Sequence, residues 1–221
     1  MDQSMRFIRI FLILGIGAVL APVAAQDTEW PADSPDEWLL AFIDVETTGL
    51  IPGHHEMIDI GIVMTDLEGS GLGEFFVRIQ PEHPERTQEG ARAVNAFDET
   101  RWKELGALSS AEAVVAISDF HAGIAGEKSV LMVAFNSHFD AAFLDHLFRA
   151  GGGQWRNLYH YFILDLPSMA WSRGLRGLTG QSLSNTLGIE DEPHVAELHT
   201  GITGAKLNAR IYRALLTYQA E

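Results

Sequence analysis

The sequence predicts an α/β domain with a mixed five-stranded sheet flanked by helices, and three observations carry that prediction. Apolar runs of strand length joined by short turns come first, from Leu39 onward. Helices and strands then alternate from about Ser109. At 221 residues the chain accommodates one such domain behind an N-terminal leader, and is short for two.

The elements follow in chain order. Arg6 and Arg9 precede an apolar run from Ile10 to Leu20, and Val23-Ala24-Ala25 supplies small residues before Gln26. This is the pattern of a secretory signal peptide over residues 1–25, cleaved after Ala25, with a periplasmic or secreted product. An uncleaved N-terminal anchor is the alternative, although the run falls short of the roughly 20 residues that span a bilayer. After cleavage no stable membrane association is expected. The chain has no cysteine, so neither a lipid anchor at the leader nor a disulfide framework is available. Residues 26–38, with Pro31 and Pro35 among acids and Ser34, read as an unstructured linker, and the domain proper covers 39–219.

Leu39 to Ile43 is the first strand, and it delivers Asp44 and Glu46, two residues apart and so on one face. After a loop marked by Pro52 and Gly53, Met57 to Asp66 is a second strand. A hairpin with Gly69, Gly71 and Gly73 leads to a third, Glu74 to Gln80, stopped by Pro81. Short turns make these three an antiparallel meander. A short helix and a loop are expected before Trp102, then a long helix from Ser109 to Gly126, with serine at its start and apolar residues at helical spacing. Ser129 to Phe135 is a buried fourth strand and Asn136 to Ala150 a helix ended by three glycines. Tyr159 to Asp165 is the expected fifth strand, followed by helical turns to about Arg173, a short helix closed by Gly188, an acidic loop, and a last amphipathic helix from Thr203 to Gln219.

The charge balance makes the chain a poor general duplex binder unless a basic patch is concentrated locally: 30 acids stand against 15 Lys and Arg, a formal charge of -15, whereas long nucleic acids are held by neutralising phosphates. Arg149, Arg156, Arg173 and Arg176 are the candidates for a local basic patch, with scattered solvated charges the plainer reading.

Two same-side acids at a strand end suit a cation, or else form a solvated end before a Thr-Thr-Gly turn. Phe42 to Leu50, FIDVETTGL, resembles the first motif of the DEDDh family of 3′-to-5′ exonucleases, which includes the proofreading epsilon subunit of bacterial DNA polymerase, ribonuclease T and oligoribonuclease. Asp140 alone would be a helix-capping acid, yet Asn136, Phe139, Asp140, Phe143 and Leu144 are similar to that family's second motif. The third motif pairs a histidine with an aspartate five residues on. Matching Ala205, Ala209 and Tyr212 to it puts His199 on the histidine and Gly204 on the aspartate. A rival register uses His194 and breaks the helix match; neither supplies the aspartate.

The resemblance implies a ribonuclease H-like fold from about Leu39 to Leu216 and a two-metal site, Mg²⁺ or Mn²⁺, held by Asp44, Glu46 and Asp140 with His199 as general base. It implies that Thr47, Thr48 and Leu50 line the pocket for the terminal nucleotide. The expected partners are 3′ ends of single-stranded DNA or RNA and short oligonucleotides, with the metals supplying the positive charge the chain lacks. Oligomeric state stays open, a homodimer included. The missing fourth acid raises the alternative of a catalytically degenerate nucleotide- or protein-binding module. Asn208, Asp191, Glu192 and Glu197 are the polar residues near enough in sequence to compensate, with ordinary solvated roles as the plainer reading.

Overall fold

The computed structural model describes residues 30–219, so the expected leader lies outside the described residues. The sheet has five strands, β1 (Trp38–Thr47), β2 (Met57–Thr65), β3 (Gly71–Arg78), β4 (Ser129–Ala134) and β5 (Ile163–Asp165), in the order β3-β2-β1-β4-β5. β2 pairs antiparallel with β1 and β3, while β4 runs parallel to β1 and β5. Among the described residues seven α-helices flank it: α1 (Glu89–Asn95), α2 (Glu99–Glu104), α3 (Ser110–Ala125), α4 (Ser137–Ala150), α5 (Leu166–Ser172), α6 (Gly180–Leu187) and α7 (Gly201–Thr217).

β1 is central and buried on both faces, so its alternation sorts side chains into two cores rather than into core and solvent. Leu39, Ala41, Ile43 and Val45 join Ile117, Phe143 and Leu144 of α3 and α4. Leu40 and Phe42 join Ala205, Leu207 and Ile211 of α7. By the same alternation Asp44 and Glu46 lie on the α7 face. Ser109 caps α3 by a reciprocal pair with Glu112, as serine at that position predicts.

Several boundaries differ from the sequence expectation. β1 continues past Ile43 through both acids to Thr47, because Glu46 still pairs with Asp59 on β2; a register shift follows immediately. β3 begins at Gly71, since Asp66 Oδ1 accepts the amides of Glu68 and Ser70 and closes the turn earlier; Gly73 is a strand residue that gives space to Ile124. The fifth strand is three residues instead of seven. Upstream of it the Arg156 guanidinium donates to the carbonyls of His160 and Tyr161, which removes them from ladder pairing. The end of the linker is also ordered: Pro35–Glu37 forms a 3₁₀ turn, and Trp30 packs its ring on Phe162 with centroids 6.0 Å apart.

Candidate active site

β1, β4 and β5 are parallel, so their carboxyl ends share one edge of the sheet, and the site is built there between α4 and α7. Asp44 is partly buried, while Glu46 and Asp140 are 7% and 3% exposed. Asp140 projects from the first turn of α4, whose start is fixed by Asn136 in a left-handed conformation and by the Ser137 amide donating to Asp165 Oδ1.

These acids repel one another. Burial pushes the Asp44 carboxyl well above the usual carboxylate range, and Asp140, Glu46, Glu192 and Asp59 add to the rise. Burial likewise raises Asp140, against backbone hydrogen bonds that favour its charged form, with Glu46 and Asp165 adding to the rise. Asp59, directly across from Glu46 on β2, is pushed up to about 7 by burial first and Glu46 second. Its Oδ1 accepts the Gly201 amide at the start of α7, and its Oδ2 has no partner.

His199 sits two residues before α7. Its Nε2 is 3.1 Å from Glu46 Oε1, and its Nδ1 is 3.4 Å from both Glu192 Oε2 and the Pro193 carbonyl oxygen. The hydrogen bond to Glu46 is the largest influence holding the imidazole up at about 9, so it is a cation at neutral pH. His194, the rival histidine, turns outward to Asp191 at 2.8 Å. Glycine explains how α7 brings His199 so close. A Cβ on Gly61 of β2 would overlap the Gly201 carbonyl group, and one on Gly201 would lie 2.5 Å from the Asp44 carbonyl oxygen and 2.6 Å from the Gly61 nitrogen. At Gly204 a Cβ would come within 2.5 Å of the Asp44 carboxylate carbon, so this position has no room for a side chain while Asp44 stays where it is.

The turn after β1 is a scaffold with one open side. Thr47 Oγ1 donates to the Gly49 carbonyl, and His55 packs so tightly under Gly49 that a Cβ there would lie 2.5 Å from its ring. Thr48 is fully buried, and its hydroxyl accepts the Glu56 amide, so it supports the turn and does not face solvent. Thr47, Leu50, Glu46 and Phe139 line a groove of about 350 Å³ with Gln88 and Val94 of the opposite wall. Leu50 is 72% exposed at its rim.

Sequence reasoning missed Asn95. From the end of α1 its amide donates to Glu46 Oε2 and to the Thr47 carbonyl, each at 3.1 Å, and its own oxygen accepts the Phe97 amide. The local signal, an asparagine in a short charged helix, carried no hint of a partner 49 residues away. Asn208, weighed as a substitute ligand, instead donates to the Ile43 carbonyl and steadies β1.

The sequence from residue 41 to 212 matches the family described as Exonuclease (RNase_T). The chain belongs to that family. Similar solved structures include exonuclease I of Methylocaldum szegediense (18% identity, TM-score 0.67, covering 82% of this chain and 41% of that one). Escherichia coli exonuclease I in complex with a dT13 oligonucleotide is 15% identical with TM-score 0.67, covering 81% of this chain and 41% of that one. The nuclease domain of 3′hExo, a DEDDh family member bound to rAMP, is 14% identical with TM-score 0.66, covering 80% of this chain and 91% of that domain. At these identities the likeness is one of fold, and the chain spans about 41% of the exonuclease I chains it matches. No curated protein matches it.

Among the described residues, no three His, Asp or Glu side chains already converge as a metal cage. Glu46 is instead held by His199 and Asn95. The donor chemistry nonetheless fits a hard cation. Oxygen-rich, mutually repelling carboxylates are what Mg²⁺ and Mn²⁺ bind, and a cation would relieve the repulsion that raises Asp44 and Asp140.

Proposed function

We propose that the chain is a metal-dependent 3′-to-5′ exonuclease that hydrolyses the terminal phosphodiester of short single-stranded nucleic acid and releases nucleoside 5′-monophosphates. The observation that carries this reading is Asp44, Glu46 and Asp140 gathered at one strand end with His199 on Glu46. Asp44, Glu46 and Asp140 would hold Mg²⁺ or Mn²⁺ as a two-metal site, which supplies Lewis acidity at the scissile phosphate when bound. His199 would take the proton of the attacking water at Nε2, and can do so only once that nitrogen has parted from Glu46 and given up the proton it holds there, which loss of the Glu46 contact favours by lowering the imidazole from about 9. Thr47 and Leu50, on the groove wall, receive the terminal nucleotide, with Leu50 against its base, while Thr48 holds the turn from beneath. The dT13 and rAMP carried by the similar structures favour a single strand and a mononucleotide product. Residues 1–25 would direct export, and the described residues contain no helix long and apolar enough to cross a membrane.

The test is cleavage of a short 3′-labelled single-stranded oligonucleotide by residues 26–221 with Mn²⁺, with Mg²⁺ and with chelator. Metal-dependent release of labelled 5′-mononucleotide is expected, with a loss of at least about 100-fold in Asp44→Ala. An intact oligonucleotide in every condition, or an unaffected Asp44→Ala, overturns the proposal. Gly204 favours a second reading, a nucleotide-binding module without cleavage, because it removes the acid the resemblance calls for. That reading predicts a silent natural chain and activity in Gly204→Asp. The first predicts the reverse, since the new Cβ would displace the Asp44 carboxylate.

A further inference from the structure

A second cavity lies at the opposite edge of the sheet from the acids. The turn from the end of α3 into the amino end of β4, together with the 3₁₀ turn Trp155–Asn157, lines a space of about 560 Å³. The chain as a whole has 30 acids against 15 Lys and Arg, yet among the described residues of this wall Lys128 and Arg156 stand against Glu127 alone. His121 from α3 is 8% exposed and forms part of the wall, and its Nε2 is buried without a hydrogen-bond partner. The other ring nitrogen, Nδ1, donates to the Leu158 carbonyl. Burial holds the imidazole below its ordinary value, so the ring is neutral and Nε2 is a lone-pair acceptor. Tyr159 meets that ring edge-on at 5.4 Å and fixes its plane. A buried acceptor with nothing to accept is costly, and it calls for a donor from outside the fold.

The cationic side of the wall is rigid. Arg156 Nη1 donates to the carbonyls of His160 and Tyr161, and the guanidinium lies 3.9 Å over the Trp155 ring. The rest of its planar donor group, with the exposed Lys128 on the same wall, suits a phosphate. The Tyr161 ring, 5.3 Å from the same guanidinium, is 75% exposed and offers a face on which a base can stack. We propose that this cavity is a second nucleotide site, one that takes a nucleoside monophosphate. Its phosphate rests on Lys128 and Arg156, a sugar hydroxyl donates to His121 Nε2, and the base lies against Tyr161. The volume is within the range of small-ligand sites. Because the protein itself supplies the positive charge, binding here needs no divalent ion, and it stands or falls independently of the exonuclease reading.

The experiment titrates AMP, adenosine and inorganic phosphate into the full chain in chelator, reading calorimetry and the ring nitrogen shifts of ¹⁵N-labelled His121. AMP should bind saturably at one site and move the Nε2 resonance upfield, and phosphate alone should bind more weakly and leave that resonance in place. Lys128→Gln should weaken AMP and phosphate by about fivefold, the loss of one exposed charge contact. His121→Phe should weaken AMP by about threefold or more, the loss of one hydrogen bond, and leave phosphate unchanged. Melting temperature checks that each variant is folded; if His121→Phe is not, Lys128→Gln and the Nε2 shift of the natural chain decide. Absence of AMP binding at millimolar concentration overturns the proposal, as does an affinity unchanged in both variants. So does an Nε2 resonance that AMP leaves unmoved, which would make water its partner, or AMP binding that appears only with Mn²⁺, which would place the ligand at the acids instead.

Discussion

At the scale of single residues the site is a competition for Glu46. His199 holds one carboxylate oxygen and Asn95 the other, so the acid that the two-metal reading requires already has two partners. Asn95 is 3% exposed and also tethers the Thr47 carbonyl, the last residue of β1. Asn95→Ala would leave that carbonyl and Glu46 without their buried donor, at a cost of about 1–3 kcal/mol in urea denaturation. Activity should fall with it, since the turn that carries Thr47 and Leu50 loses its tie to the opposite wall. Unchanged denaturation would show that water replaces the amide. Residues of this kind explain what the sequence hid. That Asp44, Glu46, Asp140 and His199 stand near one another was foreshadowed by the motifs that resemble the family's, each of them a short run of sequence. The contacts of Asn95 and Asp59 were not, because each reaches a partner far along the chain, and nothing in the neighbouring residues marks the contact.

At the scale of elements the decisive contact is the seam between α7 and the β1–β2 pair. Gly61 and Gly201 let the helix start lie on the strands at backbone distance, and Asp59 accepts the Gly201 amide across the gap. This fixes the first turn of α7 and with it His199, which stands on Glu46 because the seam is closed. Gly61→Ala should force the helix outward at a cost of about 1–3 kcal/mol, the usual penalty of overpacking, and should lower cleavage by separating His199 from the acids. A variant with natural stability and natural activity would show that the seam yields freely. Sequence patterning located α7 to within two residues at each end but not this closeness: a glycine inside an amphipathic helix marks a possible close approach without naming what approaches. The shortened fifth strand has the same cause, since the Arg156 side chain took backbone carbonyls that periodicity assigned to the ladder.

At the scale of the whole molecule, the proposed function asks an acidic chain to admit a polyanion to an acidic site. The four arginines weighed as a patch are used separately: Arg149 pairs with Asp145, Arg156 with His160 and Tyr161, Arg173 with the Tyr218 carbonyl, and Arg176 with the Trp171 carbonyl. On the proposed reading, bound cations would supply the positive charge at the site beyond that of His199, and stability should report their arrival. Asp44 and Asp140 are held well above the ordinary carboxylate range and Asp59 at about 7, each mainly by burial, while His199 is held up at about 9 by its bond to Glu46. All four shifts are upward, so the folded state binds more protons than the unfolded one, and this part of its stability is lost as pH rises through those values. Without divalent ions the melting temperature should fall steadily between about pH 5 and pH 9, the interval from the ordinary carboxylate range to the histidine's raised value. Below that interval, carboxyls held low, such as Asp165 and Asp191, contribute the opposite slope. Mn²⁺ should reverse the trend, giving little protection near pH 5, where the acids are protonated, and its largest gain near pH 8, where they are ionised and crowded. Melting curves in chelator and in Mn²⁺ across this range measure both slopes. A flat chelator curve would mean that the acids are already relieved by solvent, and an equal Mn²⁺ gain at every pH would mean that the ion binds somewhere other than this cluster.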